Sequence, residues 1–138
     1  MRKVLLLLLA FICAGCPKKK GTQYITFVNN SDREIACQQF WSGHITDADT
    51  LYQCRIPAYA IPANNLIEFE SLNYCWEIDF KAIPFIQFLI MDEKIYSEYI
   101  TSPDCDTTRK YVPILHCYRL TLEDLQHSNW TVVYPPEE

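Results

Sequence analysis

The chain predicts an all-β fold, a single β-sandwich-like domain of about seven short strands with one short helix near the C-terminus. Three observations carry that prediction. Apolar residues recur with period two over short runs, clusters of Asn, Ser, Asp and Pro separate the runs, and internal repeats and low-complexity tracts are absent.

The elements follow in order. "YITFV" (24–28) reads as a strand and "NNSD" (29–32) as its turn, because short polar side chains bend the backbone through local hydrogen bonds. "EIACQQFW" (34–41) alternates Ile35, Cys37, Gln39 and Trp41 against Ala36, Gln38 and Phe40, as a half-buried strand does. "SGHITDADT" (42–50) is a polar loop, "LYQCRI" (51–56) a strand stopped by Pro57, and "AYAIPAN" an irregular connection marked by proline. "NLIEFES" (65–71) sets Leu66, Glu68 and Glu70 against Ile67 and Phe69. "FIQFLIMD" (85–92) is almost wholly apolar, which suits a central strand covered on both faces. "SPDCDTT" (102–108) reads as a loop, and "YVPILHCYRLT" (111–121) as a strand with Pro113 at an edge, a bulge or its start. Thr121 caps a helix of one or two turns in "TLEDLQ", with Asp124 completing a capping-box variant. "NWTVVYPP" (129–136) returns to strand until Pro135 and Pro136 stop it.

The N-terminal residues belong to no domain. Arg2 and Lys3 precede an apolar run from Val4 to Ile12, and Ala14 and Gly15 stand before Cys16. A membrane span needs about twenty apolar residues, roughly 30 Å of helix, and this run stops well short. The layout is that of a secretory signal peptide. Small residues followed by cysteine resemble the lipobox of bacterial lipoproteins, with Cys13 where an aliphatic residue is usual. The resemblance implies cleavage before Cys16 and lipidation of Cys16. The organisation expected is a lipoprotein signal peptide (1–15), a lipidated basic tether (16–22) and the β-sandwich-like domain (23–138). Lys18, Lys19 and Lys20 then lie beside the lipid, where anionic headgroups contribute on the order of 1 kcal/mol for each.

Charge narrows the partners. From Gly21 onward there are seven Lys/Arg against seventeen Asp/Glu, a net −10. Such a chain repels phosphate backbones and presents no basic stripe, which argues against nucleic acid. Proteins, glycans or cations fit better.

Five cysteines remain beyond Cys16: Cys37, Cys54, Cys75, Cys105 and Cys117. In an exported protein they are disulfide candidates, five cannot all pair within one chain, and spacing does not select the pairs. It does argue against a Cys-x-x-Cys redox pair or a zinc ribbon.

"FVNNSD" (27–32) and "LTLEDLQHSNWTVVYPP" (120–136) resemble a group of small Bacteroidetes lipoproteins of unknown function, with "DADTL" (47–51) as an altered form of a loop found between those blocks. The resemblance touches both ends and one middle loop, under a third of the chain. It carries no established activity. It implies a bacterial envelope location and two O-glycosylation candidates, Thr50 in Asp49-Thr50-Leu51 and Thr107 in Asp106-Thr107-Thr108. Lipoproteins that gut Bacteroidetes export to the cell surface tend to carry acidic residues just after the cysteine. The lysines here imply the periplasmic face of a membrane, the outer membrane favoured.

Catalysis finds little support. His116 and Cys117 are adjacent in an expected strand, so their side chains point to opposite faces and do not readily share a metal; no metal site or cofactor is expected. The acidic residues show neither a defined carboxylate pair nor a calcium-loop pattern. No nucleophile elbow, phosphate loop or His-Glu-x-x-His occurs, and Gly21 and Gly43 are the only glycines after the leader. What remains is a set of aromatics on or beside expected loops, Trp41, Tyr52, Tyr59, Tyr74, Trp76, Tyr96 and Tyr99, of which the first five are the binding candidates. The reading is a lipid-anchored, non-catalytic interaction module docking to an envelope protein complex, with a glycan- or small-ligand-binding accessory lipoprotein as the alternative.

Overall fold

The structure is a computed structural model, and it describes residues 21–41, 56–100 and 105–137. The described residues are mostly β, with seven strands in two sheets and four short helices. β1 (Tyr24–Asn29), β4 (Asn65–Glu70) and β7 (Thr131–Tyr134) form a three-stranded sheet in the order β4-β1-β7. β1 pairs antiparallel with β4 and parallel with β7, so Thr26 lies beside both Glu68 and Thr131. β2 (Ile35–Trp41), β3 (Ala58–Ile61), β5 (Ile86–Asp92) and β6 (Ile114–Leu120) form an antiparallel sheet in the order β3-β2-β5-β6.

Period-two patterning explains why the two sheets meet. Ile25 and Phe27 of β1, Phe69 of β4 and Val132 of β7 join Ile35 and Cys37 of β2 and Ile86, Phe88 and Ile90 of β5 in one buried cluster. Phe88 touches both Phe27 and Phe69, ring centroids 5.4 and 5.2 Å apart. The inner faces therefore share a core.

The four-stranded sheet is also covered on its other face. Ala36, Met91, Tyr96 and Val112 form a second buried cluster, against which Ile95, Tyr99 and Ile114 pack. Tyr96 and Tyr99 come from helix α2 (Glu93–Tyr99), which packs against β2, β5 and helix α3 (Cys105–Tyr111). This double cover is why β5 is almost wholly apolar: all but its last residue are buried.

Three expectations change. The sequence predicts a single helix, but α1 (Trp76–Asp79), α2, α3 and α4 (Leu122–His127) are present among the described residues. α2 starts at Asp92, whose carboxylate accepts the amide of Ile95, a cap that also ends β5. The connection "AYAIPAN" contains β3, held to β2 by pairing of Cys37 with Tyr59 and Ile35 with Ile61. The loop expected at 102–108 becomes α3 from Cys105 onward, where the Thr108 hydroxyl donates to the carbonyl of Tyr99. The strand expected at 51–56 lies outside the described residues apart from Ile56.

The residues behind the family resemblance are structural. Asn29, fully buried, donates its amide to the carbonyls of Arg33, Ile61 and Pro62, and its oxygen accepts from the amide and hydroxyl of Ser31. One side chain thus joins the β1–β2 turn to the β3–β4 turn. At the other block, Thr121 and Asp124 form the capping box of α4, and Asn129 and Trp130 turn the chain into β7 with φ of 51° and 60°.

Candidate functional site

The registers define two ends of the molecule. β1 starts at Tyr24 beside Glu70, the last residue of β4, and the 71–80 segment with α1 follows there. Asn29, Ile35, Asn65 and Asp92 mark the opposite end.

At the first end, the chain entering the domain is fixed by several contacts. The Thr22 amide donates to both carboxylate oxygens of Glu77, at 3.0 and 2.8 Å. The Trp76 amide donates to the Thr22 carbonyl at 2.9 Å, and the Ser71 amide to the Gln23 carbonyl at 2.9 Å. Burial alone would raise the Glu77 carboxyl, but the amides of Glu77 and Thr22, the Thr22 side chain and Cys75 outweigh it and hold the group below its ordinary value. Gly21 lies against Cys75 with φ +145°, and a Cβ there would come within 2.5 Å of the Cys75 sulfur. Only glycine fits both the conformation and the space.

The 71–80 segment is itself held by a buried carboxylate. Asp79 accepts from the Ser71 hydroxyl at 2.7 Å, the Leu72 amide at 3.2 Å and the Asn73 side-chain amide at 2.6 Å. Outside this network the segment presents large apolar side chains to solvent: Leu72 is 70%, Tyr74 72% and Ile78 44% exposed. Tyr74 has φ +73°, an outlying conformation for a bulky residue.

A second aromatic group, one ring exposed and one half-buried, lies on the helix layer. Tyr99 and Tyr111 stack with ring centroids 5.2 Å apart and planes 16° apart, and the Lys110 ammonium stands 5.1 Å from the Tyr111 ring centre. Tyr111 is 48% exposed and Ile100 is exposed too. From Tyr111 the chain passes through Val112 and Pro113 into β6, whose first residue pairs with Met91 near the end opposite Gly21.

The structure separates the aromatic candidates. Trp76 is fully buried, with its indole N–H donating to the Phe69 carbonyl, so it is a core residue and no surface contact. Trp41 packs edge-on against Trp76 at 6.3 Å and is half-buried. Tyr59 is exposed on β3 with its ring edge against Phe69, and Tyr74 belongs to the apolar segment above. Tyr52 lies outside the described residues. The proximity of Pro57, Asn73 and the polar 42–50 stretch suggests loops for all five. Tyr96 is buried and Tyr99 half-buried, both on α2 and not in a loop. Tyr111 is the aromatic that sequence reasoning misses, because it stands between Lys110 and Val112 at the start of an expected strand.

The cysteines also sort themselves. Cys37, Cys75 and Cys117 are free thiols, which corrects their reading as disulfide candidates. Cys37 is buried between the sheets, and burial pushes its thiol well up. Cys105 is disulfide-bonded, while Cys54 and Cys16 lie outside the described residues. Thr107 is on α3 and half-buried, in place of the loop expected for it; Thr50 lies outside the described residues.

On the helix-covered face of the larger sheet, Gln38 and Gln87 are fully buried. Gln38 donates to the Ile56 carbonyl at 2.6 Å and Gln87 to the Cys117 sulfur at 3.7 Å; the Gln87 oxygen has no partner among the described residues. Among the described residues no group of three or more His, Cys, Asp or Glu could hold a metal ion, and no helix is long and apolar enough to cross a membrane. No protein-family model matches the chain, and no curated protein or solved structure matches it.

Proposed function

We propose that the chain is a lipid-anchored, non-catalytic interaction module of a bacterial envelope, attached through Cys16 with its domain facing the periplasm, the outer membrane favoured. In this reading the two sheets form a β-sandwich-like platform that docks onto an envelope protein complex. The observation that carries it is the polarity of the domain. The chain arriving from the tether is fixed at Gly21 and Thr22 at one end, and exposed Tyr111, stacked on half-buried Tyr99, lies on the helix layer that leads to the other. An anchored module needs that separation, since a docking surface beside the anchor would be shielded by the membrane. Stacked tyrosines offer a rigid apolar area at low entropic cost, the composition favoured at interface centres. Burial of Trp76 and partial burial of Trp41 leave less aromatic surface for the alternative, a glycan-binding accessory protein.

A photo-crosslinking residue at position 111 in the full chain, expressed in its native membranes, tests the reading. A discrete protein adduct from position 111, with none from a probe at Leu66 on the opposite sheet, is expected. Equal adducts from both positions, or none, would remove the docking assignment.

A further inference from the structure

We propose that the exposed segment carrying Leu72, Tyr74 and Ile78 is a membrane-contact face that seats the domain on an anionic bilayer surface. This rests on the lipid anchor proposed above.

The length of chain decides the occupant. Gly21 stands five positions after Cys16, and a fully extended chain of five residues spans at most roughly 18 Å. Gly21 does not merely pass near the apolar segment. It is pressed against Cys75, between Tyr74 and Trp76, and the next residue is bonded to Glu77 and Trp76. An acylated Cys16 therefore holds this end of the domain within that reach of the headgroups.

Side-chain chemistry agrees. Leu72 and Tyr74 are 70% and 72% exposed, and Tyr74 holds an outlying backbone conformation while gaining little burial from it. Tyrosine with aliphatic neighbours suits the headgroup level, where an apolar ring body and a polar hydroxyl are both accommodated. Tyr24, 41% exposed, starts β1 at the same end.

Charge sets the orientation. The chain from Gly21 onward carries net −10, so an anionic surface repels the domain as a whole. Three lysines immediately precede Gly21, and exposed Lys81 follows α1. These four lysines share the end with exposed Glu70 and with Glu77 and Asp79, whose carboxylates are taken up by hydrogen bonds to Thr22, Ser71 and Asn73. That end is thus net positive by a single charge, while the domain as a whole is acidic.

The test is hydroxyl-radical footprinting of the full lipidated chain in phosphatidylethanolamine–phosphatidylglycerol vesicles. Its control carries a Gly/Ser insertion of about twenty residues between Lys20 and Gly21, a tether long enough to release the domain. Intact mass and vesicle flotation are recorded on the same samples. Oxidation of Leu72, Tyr74 and Ile78 is expected to fall about fivefold relative to the long-tether control, with Ile100 and Tyr111 unchanged. In L72S/Y74S, protection of Ile78 and Tyr24 is expected to be lost while the protein still floats. An acylated, floating protein whose 72–78 segment is as reactive as in the control overturns the contact face and leaves the anchor standing. Protection that includes Tyr111, or that persists without vesicles, points to a second copy of the chain as the occupant and also overturns it. A mass without acyl groups removes the anchor and the contact face together.

Discussion

At the scale of single residues, Asn29 shows what a short motif can mean physically. Its five hydrogen bonds join two turns that lie about thirty positions apart in the chain, from Ser31 and Arg33 to Ile61 and Pro62. Asn29→Ala strips those partners inside the fold and is expected to cost about 3 kcal/mol, read from the denaturant midpoint at unchanged slope. Asn29→Asp should cost more, because a carboxylate would face three carbonyl oxygens with no donor to offer them. Equal losses for the two variants would show that the amide donors do not matter. The turn at 29–32 is legible in the sequence because Asn, Ser and Asp bend the chain locally. The bonds to Ile61 and Pro62 are not, since nothing local announces a long-range partner. Trp76 is misread for the converse reason: its neighbours Asn73 and Tyr74 read as loop, while the short helix α1 turns its indole into the core.

At the scale of elements, β1, β2, β4, β5 and β7 follow alternation or continuous apolar runs closely enough to be placed within a residue or two. β3 has four residues between two prolines, too few to establish a period, and its strand character comes from β2 alongside it. α2 follows β5 without a loop, the same Asp92 ending one and capping the other, so no break in pattern marks the change. The contact of α1 with Thr22 depends on ionisation. Because the folded state holds Glu77 below its ordinary 4.5, the unfolded chain binds the proton more readily. The stability gained is complete above 4.5 and is lost as pH falls below it through the folded value. The stability difference between the native chain and Glu77→Gln is therefore expected to be constant near neutrality and to shrink below pH 4.5 in thermal unfolding. A difference that widened in acid would contradict the assignment of Glu77 as an ionised acceptor.

At the scale of the whole molecule, the two clusters make the larger sheet a middle layer, with the smaller sheet on one side and α2 and α3 on the other. Cys37 lies in the cluster shared by both sheets, so its thiol is reached only when they part. With N-ethylmaleimide, Cys37 is expected to label no faster than global unfolding, whereas partly buried Cys117 labels in the folded state. Rapid labelling of Cys37 under native conditions would mean that the sheets separate without unfolding. The pairing of β1 has a mechanical consequence as well. β1 is the middle strand of its sheet and the first strand after Gly21, with β4 on one flank and β7 on the other. Hydrogen bonds between strands run across the strand direction. A pull entering at Gly21 along β1 is thus resisted in shear by both ladders at once, so the domain would yield as a clasp under tension and not unzip from its first residue.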